Sequence, residues 1–116
     1  ECTISPVYKE KILKAKDIDT ISTGRRLGHP VRALKTPFTR ELAHMEYDSN
    51  ISDEELEQFG VGALRKAARE GDAQHGSFLA GQVAAMVHKE QTAKEIITEL
   101  FEPGEQVLGG AMKWVK

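Results

Sequence analysis

A glycine-rich stretch that runs into a row of small residues constrains this chain more than any other feature. It covers residues 71–87, GDAQHGSFLAGQVAAMV. Gly71 and Gly76 permit tight or left-handed turns, and the Ser77 hydroxyl can cap the first turn of a helix. The pattern therefore predicts a helix after Ser77 with a face of small side chains. This face comprises Ala80, Gly81, Ala84 and Ala85. It would admit either a flat ligand or simply a neighbouring backbone, and the residues alone leave both interpretations open.

The sequence upstream of this stretch predicts a helix followed by two strands. Ser5-Pro6 is typical of a helix entry, and we expect this helix to end near Lys16. Residues 17–23, DIDTIST, alternate polar and β-favouring side chains and predict a strand. Residues 31–34, VRAL, fit a second strand or the start of a helix, and we favour the strand.

Two capped helices are predicted between this region and the glycine-rich stretch. Thr36 is suited to N-cap a helix that begins at Pro37. Ser52 and Glu55 form a capping-box pattern at the start of the next helix. Two glycines interrupt that second helix before it ends at Gly71, which is suited to a C-cap.

The C-terminal residues predict one clear helix and a short second one. Thr92 and Glu95 repeat the capping-box pattern, and Pro103-Gly104 is expected to break the helix that follows. The predicted apolar face consists of Ala93, Ile96, Ile97 and Leu100. A final short helix is predicted to turn Val107, Leu108, Met112 and Val115 inward. Trp114 is interpreted as a packing anchor.

Basic residues fall into two groups that could each hold a phosphate through charge-assisted hydrogen bonds. The first group is Lys9, Lys11, Lys14 and Lys16, and the second is Arg25, Arg26, Arg32 and Lys35. For the first group we favour a solvated helix face, because nearby acidic residues balance the charge. A surface cluster without a ligand is the alternative for the second. His29 is either a substrate contact or a turn histidine, since no adjacent residue supplies a carboxylate. We take His29, Arg32 and Lys35 as the candidate contacts to substrate or phosphate.

Composition bounds the remaining possibilities. The 116 residues suffice for one small domain with a core, and the formal net charge of -2 gives no basic signature for nucleic acid. The apolar runs are too short to span a membrane, and Cys2 is compatible with a cytoplasmic protein. Neither a metal motif nor a Ser/His/Asp set can be argued from the spacing. The residues alone thus predict a helix-rich α+β domain with one loop-to-helix site.

Three stretches carry a resemblance to a known family. They are YKEKILKAKDIDT at residues 8–20, GHPVRALKTPFTRE at residues 28–41, and GDAQHGSFLAGQVAAMVHKEQTAKEIITEL at residues 71–100. In order and spacing they resemble the C-terminal third of bacterial FMN-dependent enoyl-acyl-carrier-protein reductases, which are relatives of the nitronate monooxygenases. The YKEKILKAKDIDT and GHPVRALK stretches favour the reductase branch.

The resemblance implies a helix-rich α+β fragment of a parent (β/α)8 barrel. Residues 1–16 would leave the last barrel strand, residues 17–75 would form a small substrate-side domain, and residues 76–116 would return as barrel-closing helices and a tail. The implied reaction reduces trans-2-enoyl thioesters on acyl carrier protein with NADH or NADPH through FMN. Ser77, Phe78, Gly81 and Gln82 match the family stretch that approaches FMN. The family's catalytic histidine and phosphate loops belong to the preceding barrel, so no catalytic residue and no activity are expected in this chain alone.

Two alternatives to the reductase remain open at this point. The parent could be a nitronate monooxygenase, with the same fold and flavin but oxygen as oxidant. The chain could instead be a stand-alone helical interaction module, whose exposed apolar area a second copy covers in a homodimer.

Overall fold

The computed structural model describes residues 2–114, apart from the side chain of Met112. The chain forms two compact units, which are described separately. One unit is Thr3–His88, and the other contains the residues from Lys89 onward. Val115, which is predicted to turn inward in the last helix, lies outside the described residues.

The first helix of the larger unit, α1, is Pro6–Lys14. Its N-cap is Ser5, whose hydroxyl accepts a hydrogen bond from the Tyr8 amide at 3.2 Å. The predicted helix entry is confirmed, and the helix ends slightly before the predicted Lys16. Ala15 is already extended, with φ -65° and ψ 141°.

The two predicted strands form an antiparallel hairpin of β1, Thr20–Thr23, and β2, Val31–Leu34. Thr20 faces Leu34 at one end of the ladder, and Thr23 faces Val31 at the turn end. The first strand is shorter than predicted because the Asp19 carboxylate accepts a hydrogen bond from the Lys16 amide at 2.9 Å. This bond holds residues 16–19 in a turn.

Two capped helices follow the hairpin as predicted. Helix α2, Pro37–Tyr47, begins at a capping box between Thr36 and Thr39, and α3, Asp53–Gly60, begins at one between Ser52 and Glu55. The rings of Phe38 and Phe59 stack with their centroids 5.1 Å apart, which packs the two helices together.

The interruption predicted by the glycines separates α3 from a continuous helical stretch. This stretch begins as α4, Ala63–Arg65, and continues as a π-helical turn, Lys66–Glu70. It ends at Gly71, which has the left-handed φ of 67° expected of a glycine C-cap.

The predicted helix after Ser77 is wrong. Residues 77–81 are not helical, and Leu79 pairs with Ala33 in an antiparallel bridge. Only a short 3₁₀ turn follows, at Gln82–Met86. Strand β2 has a free edge that binds this backbone, and hydrogen bonds to β2 replace those that a helix would make. We call residues 77–82 the edge segment.

The smaller unit is dominated by α5, Ala93–Ala111, followed by a 3₁₀ turn at Met112–Trp114. The predicted capping box is confirmed, because the Thr92 hydroxyl accepts from the Glu95 amide at 3.2 Å. The predicted break at Pro103-Gly104 is wrong, since the helix continues through it. Leu100, Glu102 and Glu105 around this pair are strong helix formers, which favours continuation of the helix despite the hydrogen bond that proline removes.

The residues of α5 expected to face inward are exposed within their unit. This holds for Ile96, Ile97, Leu100, Val107 and Leu108. Trp114, predicted to be a packing anchor, is 87% exposed. A single long helix offers no second surface on which these side chains could be buried. The predicted apolar face is therefore present along α5, but no other element among residues 89–114 covers it.

Candidate functional site

The edge segment is held against β2 by one antiparallel bridge and two backbone hydrogen bonds. The Leu34 amide donates to the Phe78 carbonyl at 2.8 Å, and the Ala80 amide donates to the Arg32 carbonyl at 3.2 Å. These two bonds flank the directly opposed pair Ala33 and Leu79. The segment is therefore fixed in register by backbone bonds, whatever its side chains contact.

Phe78 anchors the segment in the core. Its side chain is fully buried, and its ring centroid lies 5.0 Å from that of Tyr8 on α1. The Tyr8 hydroxyl reaches past this ring and donates to the Leu79 carbonyl at 2.7 Å. The remaining buried members of this core cluster are Leu34 and Ala67. Helix α1 thus fixes the edge segment through both an aromatic contact and a hydrogen bond.

Gly76 permits the close approach that starts the segment. A Cβ atom at this position would lie 2.9 Å from Ala67 Cα and 3.0 Å from Ala67 Cβ. Directly after it, the Ser77 amide donates to the Ala63 carbonyl at 2.9 Å. The glycine therefore lets the chain pass directly over the helical stretch 63–70.

The other end of the segment is open to solvent. Gly81 and Gln82 are exposed, and no residue among 2–114 makes a hydrogen bond with the Gln82 side chain. Next to them Leu79 is 37% exposed and Val83 64% exposed. An apolar surface beside a bare backbone and an amide suits a flat ring system with polar edges.

The loop before the segment is organised by Asp72. Its carboxylate accepts from the amides of Gln74 and His75 at 2.9 and 3.0 Å, and from His75 Nδ1 at 2.9 Å. The hydrogen bonds from His75 and Gln74 lower the pKa of Asp72 to about 2. The carboxylate thus serves to shape the loop and stays ionised at neutral pH.

The four predicted FMN contacts differ in accessibility. Gly81 and Gln82 are exposed, Ser77 is half-buried, and the Phe78 side chain is enclosed in the core. A ligand at this site can therefore reach the first two directly, whereas Phe78 acts through the backbone position it sets. Contact of these four residues with FMN stays a prediction.

The three predicted substrate or phosphate contacts do not lie together. His29 lies in the turn of the hairpin, where its amide donates to the Gly24 carbonyl at 3.0 Å. Lys35 lies beyond the opposite end of β2, roughly 20 Å away at the usual rise per residue. Arg32 lies between them, with Nη1 3.1 Å from Thr20 Oγ1. One ligand phosphate cannot contact all three.

The structure places Lys35 beside other cations instead. Lys35 and Arg40 line one cleft together with Lys11 and Lys14 of α1. Arg40 was not among the predicted site residues, because its place one turn into α2 gives no signal in the sequence. The sequence favours a solvated face for the lysines of α1, whereas the structure places Lys11 and Lys14 at the edge of this cleft.

Two further properties concern only the described part of the chain. No helix within it is long and apolar enough to cross a membrane. No group of three or more His, Cys, Asp or Glu side chains there is arranged to hold a metal ion.

Comparisons with known proteins give consistent results. Over 109 residues the chain is 29% identical to a protein of Staphylococcus saprophyticus described as a probable nitronate monooxygenase, and it covers 30% of that protein. The structure of FabK from Thermotoga maritima matches with a TM-score of 0.88 and 38% identity, over 97% of this chain and 35% of the other. A methionine-to-alanine variant of the same FabK matches with a TM-score of 0.77 and 35% identity, over 97% of this chain and 32% of the other.

The chain thus spans about a third of the length of these relatives. The model of the nitronate monooxygenase family matches residues 1–103, which is most of the chain. The resemblance inferred from the sequence is therefore confirmed at the level of the family. This chain belongs to the nitronate monooxygenase family.

Proposed function

We propose that this chain is the C-terminal part of an FMN-dependent oxidoreductase that reduces trans-2-enoyl thioesters on acyl carrier protein with NADH or NADPH. The observation that carries the proposal is the likeness to FabK, at 38% identity and a TM-score of 0.88 over 97% of the chain. The three stretches that carry the family resemblance build α1, β2 and the edge segment, and the two that build α1 and β2 favour the reductase branch. The proposal concerns the whole enzyme, of which this chain is one part.

The exposed end of the edge segment fits FMN. Gly81 presents backbone without a side chain, and Gln82 presents an amide that can donate or accept a hydrogen bond. Leu79 and Val83 supply apolar surface beside them. When bound, FMN supplies the hydride chemistry, and the protein orients and tunes it. Gly81 and Gln82 would hold FMN, and Ser77 and Phe78 fix the backbone that presents these two residues.

The exposed stripe of α5 supports a position against the rest of a barrel. Leu100, Phe101, Val107 and Leu108 are each 67–72% exposed. A stripe of this size is rarely left in water, and a barrel-closing helix presents its apolar face to its neighbours. Coverage by a second copy, as a stand-alone module, is the alternative.

A second candidate activity is nitronate oxidation with oxygen. The family model and the Staphylococcus saprophyticus relative, named a probable nitronate monooxygenase, favour it specifically. Both activities use the same cofactor, so the presence of FMN does not separate them.

The deciding experiment uses the full-length FMN-loaded enzyme. NADH or NADPH oxidation is followed with a crotonyl thioester under nitrogen, and oxygen uptake is followed separately with a nitronate. We expect thioester-dependent oxidation without oxygen. Oxygen uptake with the nitronate and no thioester reduction would assign the second activity. The 116-residue chain alone is expected to catalyse neither reaction. FMN-dependent turnover by this chain would contradict the proposal that catalysis requires the rest of the enzyme.

The cofactor contact has its own test. Replacing Gln82 with alanine should raise the Kd for FMN about fivefold, since one hydrogen bond contributes about 1 kcal/mol. Gln58→Ala is the matched control, because Gln58 is exposed on α3 away from the edge segment. Equal FMN affinities of the two variants would show that Gln82 does not contact the flavin.

A further inference from the structure

A cleft of about 500 Å³ lies between α1 and the junction of β2 and α2. Val7, Ala15 and Leu34 form the apolar part of its lining, and Ala73 of the loop before the edge segment closes one side. All of these residues belong to the unit Thr3–His88. The cleft does not include Gly81 or Gln82, so it is separate from the proposed flavin contact.

The cleft carries an excess of positive charge. Four cations line it, namely Lys11, Lys14, Lys35 and Arg40, against the two carboxylates Glu10 and Asp19. This leaves two positive charges in excess in a chain whose formal net charge is -2. Anion attraction here would therefore be a local property of the cleft rather than of the chain as a whole.

One cation is already neutralised. Lys14 makes an ion pair with Glu10 one turn away on α1. The hydrogen bond and charge of Lys14 lower the pKa of Glu10, and the charge of Lys11 acts in the same direction. The Asp19 carboxylate is engaged by the backbone amide of Lys16.

Within the described part of the chain, the other three cations have no acidic partner. Among residues 2–114, no carboxylate lies within ion-pair distance of Lys11, Lys35 or Arg40. Lys11 Nζ lies 5.1 Å from the centroid of the Phe78 ring. Lys35 Nζ donates to the Ile18 carbonyl at 2.6 Å, which fixes the ammonium group and leaves further donors available.

We propose that this cleft binds the phosphate group of a phosphorylated ligand. Arg40 offers a planar fork of donors suited to two phosphate oxygens, and Lys11 and Lys35 add point charges from opposite walls. The apolar lining suits a ligand that continues from the phosphate into a less polar portion. Phosphate binding itself is inferred from the cleft alone, whereas the two ligands that are tested below rest on the proposed function.

Two kinds of ligand supply this chemistry, and the test distinguishes them. One is a phosphopantetheine arm, and the other is a pyridine dinucleotide. Inorganic pyrophosphate serves as the probe of phosphate binding itself. Pantetheine 4′-phosphate and NADPH are then added separately, with dephosphorylated pantetheine as the control for the arm.

The experiment is an NMR titration of the full-length protein with these probes. We expect saturable shifts at Lys11, Lys35 and Arg40, weaker at higher ionic strength because salt screens exposed charges. Removing the charges in K11Q/K35Q/R40Q should weaken pyrophosphate binding about tenfold or more, and R40Q alone should weaken it measurably.

The matched control is K66Q/R69Q/K94Q, which removes the same charge from exposed positions outside the cleft. It should leave binding unchanged. Tighter binding of pantetheine 4′-phosphate than of dephosphorylated pantetheine would identify an arm site, and selective binding of NADPH would identify a dinucleotide site. The proposal is overturned if no probe gives saturable shifts, or if both triple variants weaken binding equally.

Discussion

Gly76→Ala is expected to destabilise the fold by displacing the edge segment. The new Cβ atom would overlap the Asp72 carbonyl oxygen, and it would lie 2.9 Å from Ala67 Cα and 3.0 Å from Ala67 Cβ, closer than ordinary van der Waals contact. Ala67 is fully buried and belongs to the core, so neither group can move freely. The Ser77 amide, 2.9 Å from the Ala63 carbonyl, would have to shift with the chain.

The size of the effect follows from two opposing terms. Overpacking of a well-filled core costs about 1–3 kcal/mol. Replacing glycine with alanine also restricts the unfolded chain, which contributes about 0.4–1 kcal/mol in favour of the fold. Subtracting the second term from the first leaves a net loss between about 0 and about 2.6 kcal/mol, with about 1.3 kcal/mol at the middle of both ranges.

Gly60→Ala provides a control in which the same substitution should have the opposite sign. Gly60 is the last residue of α3, and a Cβ atom there would meet nothing within 4 Å. Alanine is favoured over glycine in a helix, so this variant should gain up to about 1 kcal/mol. Urea unfolding followed by circular dichroism at 222 nm would measure both. If the Gly76→Ala midpoint equals or exceeds that of Gly60→Ala at equal m-value, the steric reasoning is refuted.

Three further variants test individual bonds. Tyr8→Phe removes the 2.7 Å hydrogen bond to the Leu79 carbonyl and should lower the unfolding free energy by about 1–2 kcal/mol in urea; no change would show that water replaces the hydroxyl. Thr39→Val should lower the unfolding free energy by about 1–3 kcal/mol, because the buried Thr39 hydroxyl accepts a hydrogen bond from the Thr36 amide at 2.8 Å. Thr39→Ser keeps the hydroxyl and should retain most of this stability. Equal losses in the two variants would contradict a role for the hydroxyl. Asp72 has its pKa lowered from 3.8 to about 2, so the stability it contributes is complete above pH 4 and is lost as the pH falls towards 2. Acid titration of Asp72→Asn should therefore show a flatter decline over that window than the unmodified chain, and identical curves would remove Asp72 as a cause.

Local signals predicted much of the larger unit. Helix entry at Ser5-Pro6, both capping boxes at Thr36 and Ser52, and the glycine C-cap at Gly71 are all present. Each of these features depends on bonds between residues close in sequence, so the residue types specify them directly.

The edge segment could not be predicted in the same way. A serine followed by small residues favours a helix. In the structure this backbone instead makes hydrogen bonds with the free edge of β2, accepting from the Leu34 amide and donating to the Arg32 carbonyl. That competition depends on a strand some 45 residues earlier, which local pattern does not encode. The cleft is similar, since Lys11, Lys35 and Arg40 come together only through the packing of α1 against the hairpin.

The bonds that join α1 to the edge segment also constrain the order in which the larger unit can assemble. The Ser5 hydroxyl donates to the Ala67 carbonyl, 62 residues away, and Tyr8 donates to Leu79, 71 residues away. Contacts of such long sequence separation slow folding, because the intervening chain must lose its freedom before they form. During synthesis α1 therefore cannot pack against the edge segment, and one side of Tyr8 stays uncovered, until Phe78 and Leu79 have left the ribosome. The first helix of the chain is thus expected to be among the last parts of this unit to become protected from amide hydrogen exchange.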